Sequence, residues 1–130
     1  MDMTRIYGDQ DSSNLNDELY GTSDADTIYG GAGNDFLISA GNDGSGPDVL
    51  VGGIGNDAMM GSDQDTRFEF DIGFGKDIVG LGKSGDQVLQ FNFAQPDTLL
   101  FHRYKYQLIV QVGDDWVTIV DYFDKNRDSN

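Results

Sequence analysis

Aspartates recur through the middle of the chain at a spacing that could bind a metal ion. Asp26 and Asp35 are nine residues apart, and so are Asp48 and Asp57. Each of them closes a segment that contains glycine, and glycine lets the backbone curl so tightly that its carbonyl oxygens converge on one point. The aspartate adds a carboxylate to that group of oxygens. Such ligands suit Ca²⁺, which takes about six to eight oxygens at roughly 2.3–2.6 Å.

The segment Gly21–Met60 reads as a stack of nine-residue units. The units are GTSDADTIY, GGAGNDFLI, DGSGPDVLV and GGIGNDAMM, with the insertion SAGN before the third. Position six of each unit is acidic, and position eight is apolar, at Ile28, Leu37, Leu50 and Met59. Self-similarity at a short fixed period predicts a solenoid, in which each unit buries its apolar residue against its neighbours.

Weaker units continue the array on both sides. Their acidic and apolar residues are Asp17 with Leu19, Asp65 with Phe68, Asp77 with Val79, and Asp86 with Val88. Asp65 stands one place early in its unit. We expect residues 17–88 to form the repeat region, with the best repeats at 21–60 and an N-terminal flank at 1–16.

The C-terminal third has a different composition. Glycine thins out and aromatic residues gather in four short runs, DQVLQFNF, DTLLFHRY, QLIVQV and WVTIVDYF. Their partial alternation predicts antiparallel strands, and the Gly-Asp pair in VGDDW predicts a hairpin turn between two of them. We expect a β-rich cap at 89–123 and a tail at 124–130. No segment shows helical periodicity, so the predicted fold class is all-β, in one folding unit.

Composition excludes several classes of partner. The chain has 23 Asp and Glu against 8 Lys and Arg, a formal charge of −15, which repels nucleic acid and anionic membranes. It contains no cysteine, so disulfides and thiolate metal sites are excluded. The sequence shows no cleavable signal peptide and no apolar stretch near the roughly 20 residues needed to span a bilayer. Export is therefore expected to use a route without an N-terminal signal.

Two units carry a recognisable motif. GGAGNDFLI and GGIGNDAMM match the pattern G-G-x-G-x-D-x-U-x at every defined position. The chain thus resembles the RTX (repeats-in-toxin) family of haemolysin-type calcium-binding nonapeptide repeats, over roughly residues 12–70. Residues 87–123 also resemble, more loosely, the β-rich region that follows such repeats in secreted haemolysin-type proteins.

The resemblance implies a parallel β-roll with two nonapeptides per turn, in which loops two units apart share one ion and several Ca²⁺ ions bind. It pairs Asp35 with Asp57 on one side and Asp26 with Asp48 on the other. The carbonyl ligands it implies belong to Gly30, Ala32, Gly53 and Gly55, and to Gly21, Ser23, Gly44 and Gly46. Asp17 and Asp65 are candidates for outer sites, although their loops lack the glycines that let backbone carbonyl oxygens converge on an ion.

The resemblance also implies a function. A module of this type is exported unfolded by a type I system, as part of a larger parent polypeptide, and folds outside the cell when calcium binds. A competing hypothesis is a calcium-rigidified binding module for a polysaccharide or a protein partner. An independent small hydrolase is a third, weaker one.

Other chemistry finds little support in the residues. The single histidine, His102, has no nitrogen or sulfur partners for zinc, and no GxSxG elbow accompanies it. The EF-hand loop and the phosphate-binding P-loop are both absent. We therefore expect no enzymatic activity. The aromatic residues Trp116, Tyr104, Tyr106 and Tyr122 suit core packing of a small sheet better than a sugar-stacking surface.

Overall fold

The computed structural model describes residues 4–8, 16–22, 24–40, 47–92 and 99–120. These residues form strands and turns. None of the described segments contains a helix long and apolar enough to cross a membrane. The strands are β1 (Thr4–Tyr7), β2 (Glu18–Tyr20), β3 (Asp26–Tyr29), β4 (Phe36–Ile38), β5 (Asp48–Val51), β6 (Ala58–Met60), β7 (Thr66–Phe70), β8 (Lys76–Gly80), β9 (Gln87–Phe91), β10 (Leu100–Tyr104), β11 (Gln107–Val112) and β12 (Asp115–Ile119).

Successive strands alternate between two sheets. One sheet has five strands in the order β1-β3-β5-β7-β9, and the other has seven in the order β10-β11-β12-β8-β6-β4-β2. Within the roll every pair is parallel, so two repeats make one turn of a solenoid. The predicted all-β fold, a parallel β-roll with an antiparallel end, is confirmed.

Position eight of the repeat forms the core. Ile28, Leu37, Leu50 and Met59 are fully buried. Ile28 lies opposite Leu50 in the five-stranded sheet, and Leu37 lies opposite Met59 in the other. The short strands therefore contribute one inward residue each, and stacking joins these residues into one column per sheet. The predicted phase of these four units is confirmed.

The last roll strand departs from the prediction. The run DQVLQF was expected to be an antiparallel strand of the cap, but β9 pairs in parallel with β7 and belongs to the roll. Leu89 lies opposite Phe68, whereas Val88, expected to point inward, is 46% exposed. The reason is that the inward positions of β9 are shifted by one residue from the expected phase. Phe91 holds the strand in this register by stacking on Phe70, with ring centroids 4.9 Å apart.

The parallel ladder also extends beyond the expected limits of 17 and 88. In the five-stranded sheet β1 pairs with β3, so a strand of the roll lies inside the segment predicted as a flank. At the other end the ladder runs through β9 to Phe91.

Beyond β9 the seven-stranded sheet changes direction. β12 pairs in parallel with β8, and β11 and β10 then add in antiparallel fashion. The predicted VGDDW hairpin joins β11 to β12, with Gly113 at φ 62°. This end of the sheet overhangs the last strand of the other sheet, and a cavity of about 270 Å³ lies between them, lined by Leu81, Gln87, Leu89, Phe91, Leu99, Phe101, Leu108, Val110 and Ile119.

Candidate metal centre

The loops between the two sheets form two edges with different chemistry. The glycine edge consists of the loops that lead from the five-stranded to the seven-stranded sheet, at 30–35, 52–57 and 71–75, together with the described ends of 8–17. The polar edge consists of the loops that lead back, at 21–25, 61–65 and 81–86, together with the described parts of 39–47.

On the glycine edge four aspartates form a column. The backbone N–H of Asp17 donates to Oδ1 of Asp35, that of Asp35 to Asp57, and that of Asp57 to Asp77, each at 2.8 Å. Each carboxylate thus ties its own loop to the loop of the preceding turn. The pairing of Asp35 with Asp57 expected from the resemblance corresponds to one rung of this column.

A second series of hydrogen bonds on the same edge, formed by asparagines, has the opposite direction: the later loop donates and the earlier loop accepts. The N–H of Asn34 donates to Oδ1 of Asn16, and the N–H of Asn56 to Oδ1 of Asn34, both at 2.8 Å. Lys76 N–H continues it to Asn56 at 3.0 Å. Sequence reasoning treated position five as variable and missed this ladder. The signal was present, because the glycine-edge aspartates other than Asp77 each follow an asparagine.

Glycines let these loops stack closely. Gly53 and Gly55 have φ of 89° and 118°, a region that side chains avoid, and a Cβ on either would run into the carbonyl oxygen of Gly31 or Gly33. Gly30 is likewise set against the carbonyl oxygen of Gly52. The structure therefore stacks Gly30 on Gly52 and Gly31 on Gly53, in the loops that hold the implied carbonyl ligands Gly30, Ala32, Gly53 and Gly55. Ala32 itself is exposed.

Asp57 is the residue of the glycine edge whose surroundings best suit a cation. Its side chain is only 2% exposed, and its Oδ2 accepts no hydrogen bond from the described residues. A Cβ on Gly52 would lie 2.5 Å from this oxygen, so only glycine lets the carboxylate lie against the backbone here. Burial, reinforced by the charge of Asp35, raises the pKa of Asp57 to about 7. A buried carboxylate oxygen with no donor is costly unless a cation compensates it.

Asp77 repeats this environment one turn later. It is 2% exposed, and burial, with smaller contributions from Asp57 and Asp115, raises its pKa to about 8. Its loop has the same two left-handed glycines, Gly73 and Gly75, at φ 82° and 87°. Sequence reasoning placed Asp77 in phase but did not include it among the metal ligands. The sequence GFGKD, with two glycines before the aspartate as in the better repeats, could have identified it.

On the polar edge, side chains and N–H groups of the loops themselves donate hydrogen bonds to the carboxylates. Asp26 and Asp48 are buried and adjacent, with Asp26 N–H donating to Oδ1 of Asp48 at 2.8 Å. The Thr22 N–H and hydroxyl donate to the Asp26 carboxylate at 2.5 Å and 2.8 Å. The Ser39 hydroxyl donates to Oδ2 of Asp48 at 2.5 Å. Burial raises the pKa of Asp48, and the Ser39 hydrogen bond opposes that shift.

Asp65 does not lie in a carboxylate column. Its Oδ1 accepts the N–H of Asp86 at 2.8 Å, the role that asparagine has on the glycine edge. Thr66 takes the place opposite Asp48, and its hydroxyl donates to the Gln64 carbonyl at 3.0 Å. The polar edge therefore carries a neutral hydroxyl where the repeat normally has an acid, because the acid in this unit stands one residue early.

The remaining expected ligands divide between described and undescribed residues. Gly21 lies against Asp26, where a Cβ would be 2.9 Å from Oδ2. Ser23, Gly44 and Gly46 lie outside the described residues. Within the part of the chain that is described, no three His, Cys, Asp or Glu side chains converge to hold a metal. A metal at the glycine edge would consequently depend on main-chain carbonyls for most of its ligands, as hard cations such as Ca²⁺ accept.

The described residues considered for other chemistry lie on strands β10 and β12 or in the turn after β10. His102 is exposed on β10, with its Nε2 3.2 Å from Oε1 of Gln111. The Lys76 ammonium lies over the Trp116 ring, 4.8 Å from its centroid, so that this ring face is already covered. Tyr104 and Tyr106 are exposed, contrary to the expectation of core packing, and Tyr122 lies outside the described residues.

Comparisons with known proteins agree with this geometry. Residues 11–44 and 42–67 match the family model described as RTX calcium-binding nonapeptide repeat (4 copies). Among solved structures, the chain is similar to the extracellular lipase LipA from Serratia marcescens, with a TM-score of 0.64 and 26% sequence identity. The similarity covers 83% of this chain and 18% of the lipase chain. No curated protein matches the sequence.

Proposed function

Since the chain carries RTX calcium-binding nonapeptide repeats folded as a β-roll, we propose that it is a module that folds outside the cell as Ca²⁺ fills its glycine edge. Repeats of this family bind Ca²⁺, and several repeats imply several ions. The observation that carries the proposal is the buried Oδ2 of Asp57, which lies against Gly52 and accepts no hydrogen bond from the described residues.

The proposed ligands are consecutive pairs along the carboxylate column. One ion lies between the loops of Asp35 and Asp57, and a second lies between those of Asp57 and Asp77. Asp17 with Asp35 provides a third, outer position. Stacked backbone carbonyls of residues 30–33 and 52–55 complete the coordination. On the polar edge, Asp26 and Asp48 form a weaker site, because Thr22 and Ser39 already hydrogen-bond their carboxylates.

Charge makes the folding depend on calcium. The formal charge of −15 opposes compaction, and the buried column brings aspartates into contact with one another. An ion that binds only the folded state stabilises it by RT ln(1 + [L]/Kd) per site. Extracellular modules bind Ca²⁺ with Kd of about 10⁻⁴ to 10⁻³ M. The module is then unfolded at cytosolic calcium and folded at extracellular calcium.

A role in secretion of a larger protein follows from the same switch. A chain that stays unfolded inside the cell suits export in an extended state, by the type I route associated with this family. The similar region of the extracellular lipase is only 18% of that chain, which is how a module within a longer polypeptide is built. The module itself contributes folding and stability, not catalysis.

The test is a calcium titration followed by far-UV circular dichroism and hydrogen exchange. Strands β4 and β6 become protected with a midpoint in the submillimolar to millimolar range, and EDTA reverses the change. Magnesium replaces calcium poorly, because it demands near-octahedral geometry and gives up its water reluctantly. Equal protection of β4 and β6 in EDTA and in millimolar calcium would refute the proposal.

A protein-binding role for the C-terminal hairpin is a second candidate. Leu100, Phe101, Tyr104 and Tyr106 are all at least half exposed, and Phe101 also lines the 270 Å³ cavity. Exposed apolar patches of this kind mark interaction surfaces. We favour another domain of a parent polypeptide over a polysaccharide, since Lys76 covers the Trp116 ring face. Loss of binding to such a domain in Phe101→Ser, with the calcium midpoint unchanged, is the expected result.

A further inference from the structure

The loops 61–66 and 82–87 of the polar edge form a carbonyl cup that already has an occupant. The Nε2 of Gln87 lies 3.1 Å from the Ser62 carbonyl oxygen, 2.9 Å from that of Gln64 and 2.9 Å from that of Ser84. Oxygens from two stacked loops converging on one point is the arrangement that attracts a cation in such a roll. Here the point is held by a side-chain amide.

The orientation of this amide is fixed by its neighbours. The Gly82 N–H donates to Oε1 of Gln87 at 3.0 Å, so this end must be the oxygen. The other end faces three carbonyl oxygens and must be the NH₂ group, because only a donor can meet acceptors. The two hydrogens of this NH₂ group bond three carbonyl oxygens, so one hydrogen is shared between two of the oxygens. The Gln87 side chain thus supplies the positive end of a dipole where an ion would supply charge.

The cup also lacks the carboxylates that draw calcium. Gln87 lies opposite Thr66, which lies opposite Asp48, so the aspartate column of this edge ends in two neutral side chains. Calcium affinity depends strongly on the number of charged ligands. This site has a hydroxyl and an amide where two carboxylates would otherwise bind the ion. An ion would therefore gain too little binding energy to compensate for the hydrogen bonds of Gln87 that it would break.

Further hydrogen bonds join the two loops without any metal. Lys83 N–H donates to Oδ1 of Asp63 at 2.8 Å, and the Ser84 hydroxyl donates to the Asp63 carbonyl at 2.5 Å. Asp86 N–H donates to Oδ1 of Asp65 at 2.8 Å. Here the carboxylates accept from the facing loop and are exposed, in contrast to the buried Asp57.

We infer that the Gln87 amide substitutes for a calcium ion, so that these two loops of the polar edge are joined by the chain itself and take no ion between them. The inference rests on the proposed function only in assuming that the opposite edge binds calcium. It predicts that one substitution restores the ion: Gln87→Glu keeps the length and the acceptor for Gly82 but turns a carboxylate oxygen toward the three carbonyls.

The experiment counts bound calcium by equilibrium dialysis with metal analysis on the full chain at saturating calcium. Gln87→Glu binds one ion more than the unsubstituted protein. The matched control is Gln90→Glu, the same change on the same strand at an exposed side chain whose amide donates to Asn92 Oδ1 among the described residues. This control leaves the count unchanged. An unchanged count in a folded Gln87→Glu variant overturns the inference.

A second variant covers the case in which the glutamate perturbs the fold. Gln87→Met removes the amide while keeping the side-chain length, and we expect faster exchange of the Asp86 N–H in saturating calcium than in Gln90→Met. Equal exchange in the two variants contradicts the inference. If the unsubstituted protein binds no calcium at all, the proposed function fails, whereas the exchange comparison still decides the role of Gln87.

Discussion

The two edges of the roll place buried aspartates in similar stacked loops and compensate them differently. On the glycine edge Asp57 lies against Gly52, and one of its carboxylate oxygens accepts no hydrogen bond from the described residues. On the polar edge, Thr22 and Ser39 carry hydroxyls that hydrogen-bond Asp26 and Asp48. A carboxylate oxygen that no nearby hydroxyl reaches is therefore the feature that favours the glycine edge as the metal site.

The contrast also follows the chain from its N-terminal to its C-terminal turns. The aspartate column persists on the glycine edge to Asp77, whereas on the polar edge it gives way to Thr66 and then Gln87. Calcium dependence is therefore expected to be strongest on one edge and to fade along the other.

Destroying the shared core should abolish the difference between the edges altogether. Leu37 is fully buried between the sheets, and Leu37→Asp would bury a charge with no partner, at a cost above about 3 kcal/mol. We expect no roll at saturating calcium, measured by far-UV circular dichroism. The matched control, Glu18→Gln on an exposed side chain of the neighbouring strand, should fold at an unchanged calcium midpoint. Normal folding of Leu37→Asp would contradict the assigned strand phase.

Neutralising one aspartate on each edge compares them directly. Asp57→Asn keeps the acceptor for Asp35 N–H but removes the charge that two proposed ions share. Because contacts to a charged group are worth about 1.5–3 kcal/mol, the calcium midpoint should rise roughly tenfold or more. Asp48→Asn, whose carboxylate already bonds Ser39, should change it far less. Equal shifts in a calcium titration would show that the edges are equivalent.

Acid should partly replace calcium on the glycine edge. The pKa values of Asp57 and Asp77 are raised in the fold, to about 7 and about 8, from 3.8. A group that holds its proton more tightly when folded stabilises the fold below its folded pKa, and this contribution is lost as pH rises through it. In EDTA, β-structure should therefore increase from pH 8 to about pH 5.5, by about 1.4 kcal/mol per pKa unit at most.

With calcium present the dependence on pH should reverse. Protons compete with the ion for the same carboxylates, so the calcium midpoint should rise as pH falls. Asp77→Asn should weaken both trends, and circular dichroism across pH in EDTA and in calcium would measure them. A metal-free signal that fell on acidification from pH 8 would contradict the burial of these acids.

The smallest expected effect separates backbone strain from metal binding. Gly73 and Gly113 both have positive φ and no atom within 4 Å of an added Cβ. Alanine at either costs roughly 1–2 kcal/mol, because both need the left-handed backbone. Both changes should raise the calcium midpoint through this lost stability, and Gly73→Ala, in a glycine-edge loop, should raise it further than Gly113→Ala. Identical calcium midpoints would place the ions away from loop 71–75.

The roll itself could be predicted because position eight repeats without error over four units. Ile28, Leu37, Leu50 and Met59 gave the strand phase and the alternation between two sheets. The phase failed at β9, where Asp86 imitates position six although Gln87 occupies it. An acid at the expected spacing was a weaker guide than the packing of Leu89 and Phe91, which is not visible in the sequence.

The site could be predicted only in part for a similar reason. The adjacency of Asp35 with Asp57 and of Asp26 with Asp48 follows from the period, and the structure brings each pair together. Which carboxylates lack a donor depends on whether a hydroxyl of the same loop reaches them, as those of Thr22 and Ser39 reach Asp26 and Asp48. The spacing of the aspartates does not encode these distances.

The two strands added at the C-terminal end have a consequence for how molecules can join end to end. A parallel roll is a repeating lattice in one dimension, and another copy could extend it wherever both sheets continue in register. At the C-terminal end β11 runs against the strands of the roll, and β10 returns to their direction. Both extend the seven-stranded sheet alone, because within the described residues the five-stranded sheet ends at β9. We therefore expect no fibre in which the repeat continues in both sheets from one copy of this chain into the next.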